Sequence, residues 1–319
     1  MERLKSMRFG SRELLLPCFV PSVSSIRTSL APSQYVQVLS GLQCPQFLIS
    51  AYDYERSSND QKDVLAKYIE EAQRNGCVVV LDSGNFEAFW RSDKQWSTEL
   101  FWSASKILKP DVTFSFDELD PPNDWEGASA TAISRVDLDS KALPGQTVLP
   151  IVHGNSANLP LVVFDVVKKI RPRMVVVPER ELGDGIIERC RTLAGIRARL
   201  NELDTYCPIH LLGTGNPYSI LTFVLSGADS FDGLEWCQSV ADFSSGQLSH
   251  FQHWDLFAAS SPLAGARDVP YQQKTLAHNL AFWAGLMKEV REYLRDGTPT
   301  PLIDEILSKV RPVLPQELR

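Results

Sequence analysis

Short apolar runs alternate with longer amphipathic stretches along most of the chain. The runs fall at residues 14–20, 46–50, 77–81, 112–116, 147–152, 174–177, 209–212 and, more weakly, 229–231 with its flanks. Most are continuous in apolar residues rather than strictly alternating, the pattern of strands buried on both faces of a parallel sheet. Helices are predicted between them. One at 59–75 opens on Asn-Asp and closes at Gly76; others at 97–108 and 159–170 stop before Pro110 and Pro172, and 185–203 and 217–225 follow. Eight strands alternating with helices predict an α/β fold, a (β/α)8 TIM barrel. An open doubly wound sheet is the alternative, but no GxGxxG follows the first strand, which counts against its dinucleotide-binding version. After residue 233 the rhythm changes. A loop-rich section, 234–270, leads to an amphipathic helix at 272–295 carrying Leu276, Leu280, Trp283, Met287, Val290 and Leu294 near helical spacing, then a short helix at 301–310. The expected organisation is a barrel over 1–233 with an appended C-terminal helical subdomain over 234–319.

Composition narrows the class. The 319 residues are 44% hydrophobic and 22% charged, as in ordinary soluble globular proteins. No apolar run approaches the roughly 20 residues that span a bilayer. The segment "ELLLPCFVP" is broken by Pro17 and lacks a small-residue cleavage site, so it is not read as a signal peptide. The six cysteines (18, 44, 77, 190, 207 and 237) form no CxxC pair, which points to a reducing, cytoplasmic setting and no membrane. A net charge of −7 gives no global field for a polyanion, so a nucleic-acid partner needs a local basic surface. The cluster Lys168, Lys169, Arg171 and Arg173 follows a predicted helix and is read as balancing its C-terminus rather than binding phosphate.

In a barrel the chemistry sits at the C-terminal ends of the strands. Those ends carry Asp82, Asp117 ("FSFDELDPP"), His153 ("PIVHGN"), Glu179–Glu181 ("VVPERELGDG"), Gly213–Gly215 ("LLGTGNP") and Asp232 ("ADSFDG"). Each has an ordinary reading: an aspartate in a DSG turn can bond its own backbone, the acidic proline-rich loop at Asp117 can be solvated surface, and His153 can be a satisfied polar residue. Asp229 and Asp232 cannot both face inward on a strand of period two, and position alone does not choose between them. Two carboxylates across a barrel mouth suit retaining glycosidic chemistry, one as nucleophile and one as proton shuttle. A divalent-metal site of Asp82, Asp117, Glu118 and Asp232 is the competing chemistry.

The ordered set of motifs resembles the tRNA-guanine transglycosylase superfamily over residues 13–295. "LDSGNFEAF" is similar to its DSGGF/YQ motif, "FDELDPP" to FDECTPYP, "PIVHGN" to IVQGG, "HLLGTGNP" to HLxGxGxP and "GADSFDGLEW" to GxDMFDC. "LAHNLAFWAGLMKEVREYLRDG" is similar to the C-terminal helix with its His-Asn pair. The resemblance implies that Asp232, not Asp229, is the nucleophile at C1′ and that Asp82 is the general acid/base. It implies that Phe86 and Leu212 sandwich the base, and that Asp117 reads its guanine-like edge with Ser83, His153 and Gly213 nearby. The incoming base would be guanine or a 7-deazaguanine, in a ping-pong scheme with the target nucleotide flipped out or unpaired.

The departures are as informative. Asn85 and Glu87 replace a glycine and a glutamine, His153 replaces the base-reading glutamine, and "PERELGDG" replaces a glycine-rich loop. The basic run that holds RNA phosphates after the nucleophile is absent, which puts tRNA as substrate in question. These changes resemble the DNA-directed (DpdA-like) branch, which exchanges guanine in DNA for a base such as preQ0, with accessory proteins as potential partners. The alternatives are an RNA-directed enzyme acting on tRNA, a non-catalytic nucleic-acid-binding partner subunit, and the metal-dependent hydrolase. The family's zinc motif also departs: His278 keeps the histidine position, and His250 and His253 with HxxH spacing stand where cysteines are expected. A zinc site of His250, His253 and His278, with Cys237 or Asp255 as fourth ligand, is the corresponding expectation. No organic cofactor is expected.

Overall fold

The computed structural model describes residues 2–118, 120–312 and 314, and its core is the expected barrel. The eight barrel strands are β1 (Cys18–Val23), β2 (Gln46–Ser50), β3 (Val78–Asp82), β4 (Val112–Phe114), β5 (Val148–Leu149), β6 (Val175–Pro178), β7 (Ile209–Leu212) and β8 (Ser230–Gly233). All pair in parallel, in the order β5-β4-β3-β2-β1-β8-β7-β6. The two ends of that order meet at one isolated parallel bridge, Ile151 to Val176, reinforced by Val152 N–H to Val176 O (2.9 Å) and Val176 N–H to Pro150 O (3.0 Å).

Strand parity sorts the apolar residues into two cores. Cys18, Val20, Val78, Val80, Val112, Phe114, Met174 and Val176 fill the barrel interior. Their neighbours Phe19, Val79, Leu81, Val175, Val177, Ile209 and Leu211 face outward under the helices. A strand buried on both faces therefore reads as a continuous run, because neither parity meets water. The interior is also covered at its N-terminal end by a hairpin, Ser6–Phe9 with Arg12–Leu15, whose Met7, Phe9 and Leu14 join the inner core. The apolar run at 14–20 is thus two strands rather than one, an outcome the pattern alone does not distinguish.

Helix ends follow local chemistry. The helix Asn59–Arg74 is capped by Ser58, whose side chain accepts from Gln61 N–H while Gln61 reaches back, one residue before the predicted start. Asn216 caps Pro217–Ser226, and Gly227 ends it in the left-handed conformation. The long helix Tyr271–Asp296 lies against the barrel, with Trp283 stacked on Phe19 of β1 at 5.4 Å between ring centroids. Trp236, Leu276, Phe282, Leu302 and Ile306 join the same outer core as the barrel helices, so the segment after residue 233 shares the barrel's packing. Its last residues, 315–319, lie outside the described chain. Among the described residues no helix is long and apolar enough to cross a membrane.

Candidate active site

The inward parity that fills the barrel ends at its mouth mostly in polar residues. Ser22 on β1, Ser50 on β2, Asp82 on β3, Leu212 on β7 and Asp232 on β8 sit two positions beyond inward-facing residues, and all line one cavity of about 430 Å³. Phe86, Glu87, Asp117, Gly213, Glu179 and Glu235 complete most of its wall, together with Arg27, Arg180 and Arg189. Its size lies within the range of small-molecule sites, roughly 300–1,000 Å³.

The geometry separates Asp229 from Asp232. Asp229, immediately before β8, is fully buried on the outer side. It accepts from Arg197 Nη2 (2.9 Å), Tyr206 Oη (2.7 Å) and Ile209 N–H (2.9 Å), and it pairs with Arg3 (3.1 Å). Asp232 faces the cavity instead. Its Oδ2 accepts from Ser22 Oγ (2.6 Å), and its Oδ1 accepts from the Gly213 N–H (3.0 Å) and lies 3.2 Å from His210 Nε2. His210 is in turn placed by Ser230 Oγ, 2.8 Å from Nδ1. Both oxygens are therefore fixed before any ligand arrives. Ser22 and His210 were not singled out from the sequence, although both fall on the inward parity that already marks Asp232.

Asp82 is held differently. Burial pushes its carboxyl up to about 7; hydrogen bonds from the Gly84 and Ser83 backbone N–H groups oppose the rise, and Asp117 and Asp232 add to it. The Gly84 N–H donates to Asp82 Oδ2 at 2.9 Å. Gly84 itself has φ +82°, and a Cβ there would lie 2.4 Å from Tyr52 Cβ, so the turn that presents Asp82 requires glycine. Ser83 contributes its backbone rather than its side chain, which is buried in the wall with its hydroxyl 3.5 Å from Asn85 N. Asn85 Nδ2 donates to the Asp117 carbonyl and ties the β3 and β4 loops together.

Asp117 faces the cavity, with His153 behind it. His153 Nε2 lies 2.5 Å from Asp117 Oδ1, and its Nδ1 lies 2.7 Å from Glu181 Oε1. Burial pulls the imidazole pKa down, but the hydrogen bonds and charges of the two carboxylates outweigh it and raise it to about 9. At neutral pH His153 is an imidazolium between two carboxylates, which fixes one oxygen of Asp117 and leaves the other for a ligand.

A further acidic layer was not legible as such. Glu87 accepts from Ser24 Oγ (2.5 Å) and Ser50 Oγ (2.9 Å), and Asp53 accepts from Ser25 N–H (2.6 Å). Burial raises the pKa of both, and for Glu87 the charges of Asp53 and Asp82 add to it. On the opposite wall, burial pushes Glu235 up to about 7, with backbone hydrogen bonds opposing and Asp232 and Glu179 adding to the rise. Gly215 and Gly233 make room for it: a Cβ on Gly215 would fall 1.9 Å, and one on Gly233 2.3 Å, from Glu235 Oε2.

The expected zinc ligands are not brought together. His278 lies in the core, with Nε2 2.7 Å from the Ala241 carbonyl and its ring 4.8 Å from that of Phe243. His250 and His253 are neighbours, with ring centroids 5.6 Å apart, and His250 Nδ1 accepts from Gln252 N–H (3.3 Å). Cys237 Sγ donates to the Leu234 carbonyl at 3.2 Å. Among the described residues no three His, Cys, Asp or Glu side chains are arranged to hold a metal ion, so this set does not fit zinc. Glu118 likewise turns away from the cavity to Arg135 (Nε to Oε1, 3.0 Å), which leaves the alternative cluster of hard oxygens unassembled.

The cavity thus joins a carboxylate fixed by hydrogen bonds, a carboxyl that holds a proton near neutrality, an aromatic wall at Phe86 and an apolar wall at Leu212. Comparison of the chain with protein-family models and with curated proteins returns no match.

Proposed function

We propose that this protein is a pentosyltransferase, a guanine transglycosylase that exchanges guanine in DNA for a 7-deazaguanine base of the preQ0 type. The observation that carries the reading is the pairing of Asp232 and Asp82 in one cavity. Asp232 is held at both oxygens, whereas Asp82 keeps a proton near pH 7. The Asp232 carboxylate attacks C1′ as the N-glycosidic bond breaks, and the bonding pair leaves with the purine. Asp82 gives its proton to the departing base. The incoming base then loses a proton to the Asp82 carboxylate as it attacks C1′, and Asp232 is released with the configuration retained.

The character of the cavity supports a purine with N–H donors on its edge. Asp117 offers one free carboxylate oxygen, and Phe86 and Leu212 both line the cavity, an aromatic and an apolar side chain against which the faces of a base would pack. Carboxyl groups line the cavity together with the exposed Arg27 and Arg180, as suits a base with N–H donors joined to a phosphate backbone.

The deciding experiment is incorporation of labelled guanine or preQ0 into duplex DNA, single-stranded DNA and tRNA, comparing wild type with Asp232→Asn. Label that enters DNA and is lost in the variant supports the proposal. Label entering tRNA alone returns the protein to RNA chemistry. Label entering no polymer overturns the exchange reading for the isolated chain and favours a partner-subunit role.

A further inference from the structure

The short helix that follows Asp82, Asn85–Trp90, leaves three large aromatic side chains in solvent. Phe86, Phe89 and Trp90 are 43%, 65% and 48% exposed. Single exposed apolar residues are ordinary, but a contiguous cluster marks an interaction surface. This cluster continues the wall of the cavity. Phe86 lines it, and the Trp90 ring meets Phe86 and Phe89 edge-on at 6.3 and 6.0 Å between centroids.

A cation completes the group. The Arg27 guanidinium lies 4.4 Å from the centroid of Trp90, and Arg27 also lines the catalytic cavity. Its backbone is left-handed, with φ +57°, and its carbonyl accepts from Gln238 Nε2 at 3.1 Å. Arg27 and Gln238 are shared with a neighbouring cleft of about 600 Å³ that runs past His250, Gln252 and Tyr271. Arg27 therefore stands where the two cavities adjoin, with its guanidinium against the aromatic cluster.

Aromatic rings with an adjacent arginine are the platform on which unpaired nucleobases stack, whatever their sequence, while the guanidinium also meets the backbone phosphate. A duplex has no free base faces to offer such a platform. We propose that Phe89, Trp90 and Arg27 form a stacking shelf for the nucleobase next to the one in the catalytic cavity, so that the polymer engaged is an unpaired strand of DNA. This rests on the transglycosylase reading for the identity of the polymer, but its test does not require exchange to occur.

The test is binding of a labelled single-stranded DNA decamer with one central guanine, measured by fluorescence anisotropy beside its duplex and an RNA decamer of the same sequence. Wild type is compared with the double variant Phe89→Ala/Trp90→Ala and with Trp90→Tyr. Loss of one base stack weakens binding about 5- to 100-fold. That loss is expected for the single-stranded DNA in the double variant, with binding largely restored by Trp90→Tyr and with free guanine binding, followed by calorimetry, unchanged. Equal decamer affinity in wild type and double variant overturns the shelf. So does wild type that binds only duplex or only RNA. Label incorporation measured on the same samples separates the two readings: exchange into DNA that the double variant leaves intact removes the shelf and keeps the transglycosylase. Guanine binding with neither exchange nor decamer binding removes both.

Discussion

Asp229, just before β8, and Asp232, within it, stand three positions apart and face opposite sides of the barrel wall. Asp229 meets Arg197 and Arg3 outside, whereas Asp232 meets Ser22 and the Gly213 N–H inside. The two positions are expected to fail differently. Asp229→Asn leaves Arg197 buried without its charge partner and is expected to cost about 3–5 kcal/mol, the penalty of breaking a buried pair, in a denaturant melt. Asp232→Asn is expected to leave the melt within about 1 kcal/mol of wild type, since it stays isosteric, while base exchange disappears.

On the proposed chemistry, Asp82 would link activity to pH. Its folded pKa, about 7, lies above its ordinary value of 3.8. The stability this shift contributes is complete below about pH 4 and is lost as pH rises through 7, because the ionised form is the one penalised by burial. Asp82→Asn cannot ionise and is therefore expected to melt higher than wild type at pH 8, an advantage that disappears at pH 4. In wild type the first half-reaction should fall off above about pH 7. The variant should lose about 100- to 10,000-fold in rate, as expected on removing a general acid, and lose that alkaline limb.

His153 has the opposite dependence on its partners. Its pKa is raised from 6.5 to about 9, so its contribution is full below pH 6.5 and fades as pH rises through 9. The penalty of His153→Gln, measured as the difference in melting temperature from wild type, should therefore be larger at pH 6 than at pH 10. A penalty independent of pH would mean that the imidazolium does not bridge Asp117 and Glu181.

Gly84 tests the turn itself. Gly84→Ala places a methyl against Tyr52 at a backbone angle that alanine adopts at a cost. Strain of this kind is typically about 1–3 kcal/mol, and overpacking adds to it. Exchange should fall further than stability, because the Gly84 N–H positions Asp82.

Chelation gives a fifth measurement. With His278 bonded to the Ala241 carbonyl, exhaustive dialysis against a chelator is expected to leave the melting temperature unchanged. A fall, restored by zinc, would show that His278 turns outward to a metal.

The barrel and most of its mouth were legible because strand parity and strand ends are local patterns. Cys77 to Asp82 reads as a buried strand ending in a carboxylate, and it is one. Which of Asp229 and Asp232 faces inward was open on position alone and is settled by which residues each one meets. What escaped depends on distant partners. The hairpin partner of Arg12–Leu15 is Ser6–Phe9, and an apolar run cannot announce where it will turn. Glu87 stands out in the sequence only as the replacement of a glutamine; that Ser24 and Ser50, far away in sequence, close over it is not legible there. The zinc expectation rested on spacing, and spacing does not reveal that the His278 ring points into a cluster with Phe243.

The bridge between Ile151 and Val176 has a consequence at the mouth of the barrel. It is the thinnest seam in the wall, and directly above it Glu181 spans the gap, accepting from the Gly154 N–H at 2.9 Å and meeting His153 at 2.7 Å. The side chain that keeps Asp117's neighbour in place is also the clasp of the cylinder. Losing Glu181 would therefore loosen the closure of the wall and unseat His153 together.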